Sequence, residues 1–113
     1  MANTTTRPKP ISDAEEFQSE CHNMLEWLGT IEMPEDRVGI HEAGGNLGGI
    51  LVSLMTTSAA CFYTEESANV FTLCGYLKES EKDKPNWVAI LETIQECAGE
   101  ARDQKADIEV TFN

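Results

Sequence analysis

The sequence predicts an all-α protein: a bundle of about four helices, packed around a central helix rich in small residues. Three observations predict it. First, residues 43–64 carry no charged side chain, in a chain of 113 residues with a formal net charge of -12. Charges are almost never fully buried unless paired, so an uncharged run in so acidic a chain marks the inside. Second, three other segments repeat apolar residues at helical spacing. Third, Pro34, Pro85 and the polar stretch 78–84 fall between those segments, where helices stop and start.

Taken in order, residues 1–11 read as a flexible arm. Thr4, Thr5 and Thr6 precede Pro8 and Pro10, with no apolar period, and such termini are mobile unless something ties them down. Helix one opens at Ser12, which with Glu15 fits a capping box. Phe17, Cys21, Met24, Leu25, Leu28 and Ile31 form its buried stripe, and Pro34 closes it. Helix two starts between Pro34 and Glu42 and runs to about Phe62, with Leu47, Ile50, Leu51, Leu54, Ser58 and Cys61 as a seam. A second line on that helix, Gly45, Gly49, Ser53 and Thr57, holds only small residues and suits close approach of another backbone. Four glycines within six residues cost about 1 kcal/mol each in a helix. The helix is therefore expected to kink, or to begin, near Leu47.

Thr64 is the expected N-cap of helix three, with Glu65 and Glu66 in the first turn. Ala68, Val70, Phe71, Leu73, Cys74 and Leu77 supply its apolar face. Pro85 suits the first position of helix four, buried through Trp87, Ile90, Leu91, Ile94, Cys97, Ala98 and Ala101. These helices make up a single domain over residues 12–107. The last residues, 108–113, read as an extended tail in which Ile108, Val110 and Phe112 alternate with polar residues, without a visible partner to pair with.

Composition bounds the function. Twenty Asp and Glu against eight Lys and Arg repel nucleic acid and anionic membranes and attract basic partners. The uncharged run is too rich in Gly, Ser, Thr and Asn for a membrane span, and acidic residues flank it. The start lacks the apolar core of a secretory signal, which points to the cytoplasm. Cys21, Cys61, Cys74 and Cys97 form no C-x-x-C pair and read as reduced thiols on helix faces.

Catalytic motifs are weak. Cys21 and His22 are neighbours on a helix, so their side chains diverge and form no nucleophile–base couple. His41-Glu42 begins like a zinc-protease motif, but Gly45 stands where the second histidine belongs. The glycines at 44–49 match no phosphate-loop pattern, and no lysine or arginine lies between Arg37 and Lys78 to meet a phosphate. No cofactor and no metal site is expected.

The most suggestive constellation is acidic. Glu92, Glu96, Glu100 and Asp103, with Asp107 beyond, fall in one file on helix four, spaced about 6 Å apart. That resembles phosphate spacing along a nucleic-acid strand. Asp13, Glu16 and Glu20 on helix one, and Glu32, Glu35 and Asp36 after it, add charge, and Trp27 beside the stripe suits an interface anchor. The expectation is a non-catalytic acidic module that binds a basic protein surface. A phage-type inhibitor of a nucleic-acid-handling enzyme fits that type. The alternatives are a homo-oligomer, a homodimer for instance, built through Gly45, Gly49, Ser53 and Thr57, or a small-molecule binder near His41 and the glycines.

Overall fold

The computed structural model describes residues 3–31 and 40–113, so the expected stop at Pro34 lies outside the described residues. Helix α1 spans Ala14–Leu28. Its N-cap is Asp13, whose carboxylate accepts the Glu16 N–H at 2.9 Å. The capping pair expected at Ser12 and Glu15 thus sits one residue later, at Asp13 and Glu16, where a carboxylate also meets the positive end of the helix. Phe17, Cys21, Met24 and Leu28 are buried, which follows the predicted stripe.

Helix α2 spans Ile40–Thr57 and runs unbroken through all four glycines. Ala43, Leu47, Leu51 and Leu54 are fully buried on its inner face. Burial of that face outweighs the helix penalty of the glycines, so the expected kink is not formed.

The all-α expectation needs correction: the molecule is predominantly helical but also contains a three-stranded mixed sheet. Helix α2 ends at Thr57, not near Phe62. Ser58 adopts a left-handed backbone (φ 55°), and Ala59–Phe62 continues as strand β2. The supposed N-terminal arm contains strand β1, Asn3–Arg7, and the supposed C-terminal tail contains strand β3, Ile108–Phe112. The sheet order is β1-β3-β2, with β1 parallel and β2 antiparallel to β3. The tail therefore pairs on both sides within its own chain. The physical reason is that the backbone groups of an extended segment need partners, and the two chain ends and the α2 exit supply them to one another.

Register sorts the sheet into two faces. Ala60 and Phe62 of β2 sit beside Val110 and Ile108 of β3, and all four are buried with Phe112. Phe112 meets Phe17 of α1 with ring centroids 6.1 Å apart, so this face is roofed by helices. The other face carries Thr4, Thr6 and Glu109, all exposed. One face covered and one open is the usual division for a sheet with antiparallel pairing.

Helix α3 spans Thr64–Ser80 and helix α4 spans Pro85–Gln104, with Pro85 in the first turn. Every residue assigned from sequence to the inner side of α4 is buried. Its end is a Schellman motif: Lys105 is left-handed (φ 52°), and the Ala106 N–H reaches back to the Ala101 carbonyl at 3.3 Å. That turn redirects the chain into β3. Helices α3 and α4 pack tightly at two glycines: an added Cβ would meet the Phe71 ring at 3.1 Å from Gly99 and the Gln95 amide at 3.1 Å from Gly75.

Candidate functional site

The acidic file lies on the outward side of α4, with Glu92, Glu96 and Asp103 exposed and Glu100 partly buried. It is not a bare row of carboxylates. Arg7 of β1 sits opposite Phe112 in the sheet register, on the helix-roofed face, which aims its side chain at α4. There its guanidinium pairs with Glu100 and lies 3.4 Å from Glu96. A single arginine thus bridges two carboxylates one helical turn apart, relieving a repulsion worth a few tenths of a kcal/mol. Asp103 pairs with Arg102 at 2.9 Å, and Arg102 also lies over the Phe71 ring at 4.4 Å. Among the described residues, Glu92 is the member of the file with no Lys or Arg within ion-pair distance. Asp107 stands apart from the file, because its carboxylate accepts the Thr64 N–H at 3.0 Å and caps α3. Thr64 is the first residue of α3 and not its cap, and its hydroxyl donates instead to the Ala101 carbonyl.

The other acidic group gathers at the start of α1. Asp13, Glu15 and Glu16 are exposed and Glu20 is partly so. The side-chain amide of Asn86, at the start of α4, donates to Glu16 Oε1 at 3.0 Å, which joins the two helix starts into one surface. Asn86 and Arg7 both matter to this surface, yet nothing in their local sequence marks them. Only the fold brings Arg7 to a residue 89 positions away.

Trp27 is half-buried. Its ring centroid lies 5.1 Å from that of Trp87, and the Lys84 ammonium sits 4.2 Å from the Trp87 centroid and 5.9 Å from Trp27. The pair and its cation fasten the end of α1 to the start of α4. Trp27 is therefore already engaged within the chain, at some distance in sequence from the carboxylates it was grouped with.

The small-residue line of α2 faces outward. Gly45, Gly49 and Thr57 are exposed and Ser53 is partly so, and an added Cβ at Gly45 or Gly49 would meet nothing within 4 Å. Gly48, by contrast, packs against a neighbour, with its Cβ position 3.6 Å from Leu25 of α1. A shallow hollow of about 280 Å³ follows the outer line, bounded by Gly49, Ser53, Cys61, Tyr63 and Glu66. A second, apolar hollow of about 290 Å³ lies between Leu25 and Leu28 of α1 and Gly44, Gly45 and Gly48 of α2. The side chain of His41 lies outside what the structure describes.

The thiols are poor nucleophiles. Burial pushes Cys21 and Cys74 up to about 12 and Cys97 up to about 11, so all three stay protonated at neutral pH. Cys61 is partly exposed, and burial raises its thiol too. Among the described residues no group of three His, Cys, Asp or Glu could hold a metal ion, and no helix is long and apolar enough to cross a membrane. No family model, curated protein or solved structure matches this chain.

Proposed function

We propose that this chain is a non-catalytic binding module whose acidic face, built from the start of α1 and the outer side of α4, occupies a basic surface on another protein. One observation carries the reading. The Glu16–Asn86 hydrogen bond joins two helix starts whose carboxylates, Asp13, Glu15, Glu16, Glu20 and Glu92, have no Lys or Arg partner among the described residues. A face dominated by one sign, with Lys84 beside Glu20 at the start of α4, steers a basic partner and speeds encounter. The spacing along α4 suits a groove that otherwise receives a phosphate backbone, and hence a phage-type inhibitor of a nucleic-acid-handling enzyme. The test is capture of partners by the immobilised protein at low and high salt, beside a Glu16→Lys/Glu92→Lys variant. The reading expects a basic nucleic-acid-binding protein that is lost at high salt and lost by the variant. Capture that ignores both salt and charge reversal would sink it.

A second reading, self-association through α2, draws on the outward exposure of Gly45, Gly49 and Thr57. Sedimentation of the wild-type chain against Gly49→Leu separates the two. A dimer broken by the leucine supports self-association, and a monomer in both cases removes it.

A further inference from the structure

We propose that the outer edge of β1 is a docking edge that accepts an extended basic segment of another protein as a fourth strand. The charge preference rests on the acidic-module reading, whereas the edge itself rests on backbone geometry.

In the parallel ladder with β3, the Asn3 N–H donates to the Asp107 carbonyl at 3.0 Å and the Arg7 carbonyl accepts the Asn113 N–H at 2.9 Å. Bonding groups alternate along a strand, so Asn3, Thr5 and Arg7 face β3. Thr4 and Thr6 consequently turn their N–H and C=O groups outward, to an edge that no other strand pairs with among the described residues.

Proteins usually guard such an edge with lysine, proline, a bulge or a covering element. Among the described residues β1 shows no such guard. The register from Asn3 to Arg7 is continuous, without a bulge, and no proline lies inside it. The only cation in the strand, Arg7, is turned inward onto Glu96 and Glu100. Asn3, Thr4 and Thr6 are exposed.

Charge selects the occupant. The edge runs beside the carboxylates of α4 that Arg7 touches, and Thr4 sits next to exposed Glu109 on the open face. A segment with lysines or arginines gains from both, while a second copy of a chain at -12 is repelled. Main-chain bonds to Thr4 and Thr6 then supply affinity, and alternate side chains supply preference.

The probe is a ten-residue peptide of alternating lysine and threonine, followed by amide NMR and hydrogen exchange on the intact protein. Controls are the same peptide N-methylated at every residue, which leaves neither edge a donor, and a glutamate–threonine counterpart. The inference expects the basic peptide to shift and protect the Thr4 and Thr6 amides. Both controls should fail. Thr4→Pro, which removes an outward N–H and leaves the β1–β3 ladder intact, should weaken binding about tenfold with an unchanged melting temperature. Equal binding of the N-methylated basic peptide would overturn the docking edge while leaving the acidic face standing. Equal protection by the acidic peptide would overturn the basic occupant, and with it the charge argument. Protection of Thr4 and Thr6 that grows with protein concentration alone would assign the edge to a second copy and overturn the proposal.

Discussion

Helices α2 and α4 each carry a conspicuous file of like residues, and the two files meet opposite fates. Most carboxylates of α4 are answered from within the chain, Glu96 and Glu100 by Arg7 reaching out of β1 and Asp103 by Arg102 on the same helix, which leaves Glu92 without such a partner among the described residues. In the outer file of α2, Gly45 and Gly49 look into open space. Tight glycine contacts between helices occur instead where α3 meets α4, at Gly99 against Phe71 and at Gly75 against Gln95. A pattern along one helix states what a surface is made of. What meets that surface depends on residues far away in sequence.

Four substitutions break or sharpen the contrast, from the largest effect to the smallest. Strand β3, into which α4 delivers the chain, is fully integrated in the core, so Phe112→Ala should lower unfolding free energy by about 3–5 kcal/mol in a denaturant titration. A loss below about 1 kcal/mol would return β3 to the status of a tail. Gly99→Val drives a branched side chain into Phe71 and should cost about 2 kcal/mol by the same measure. Gly49→Ala has the opposite sign: with open space around it, alanine should stabilise α2 by about 0.5–1 kcal/mol. Destabilisation there would mean that the α2 file is packed after all. Arg7→Ala leaves Glu96 and Glu100 facing each other and should cost about 0.5 kcal/mol, since the guanidinium is 28% exposed and salt screens the pair. That small loss should shrink further at high salt.

Much of the helical frame was legible in the sequence. Phe17, Cys21, Met24 and Leu28 on α1, and Trp87 through Ala101 on α4, read directly as buried stripes because a helix repeats its environment locally. The sheet was not legible. Asn3–Arg7 is polar and has no period, because it is an edge strand with an open face. Ala59–Phe62 continues an uncharged run, and its two alanines favour helix, so only pairing with β3 makes it a strand. The alternation at Ile108, Val110 and Phe112 was visible, but its partners were not, because they lie at the far end of the chain and after α2. The site followed the same division. Its carboxylates could be counted along one helix, whereas Arg7 and Asn86 became relevant only through contacts between distant segments.

Residues 3–7 and 108–112 are built into one sheet, and the outer edge of β1 pairs with no other strand among the described residues. Native-state hydrogen exchange tests this most directly. The amides of Val110 and Phe112 should exchange among the slowest in the protein, since they turn towards β2 within a strand that is flanked on both sides, while those of Thr4 and Thr6 exchange quickly. Fast exchange throughout residues 108–112 would contradict the sheet. Slow exchange at Thr4 and Thr6 in the isolated protein would contradict the open edge.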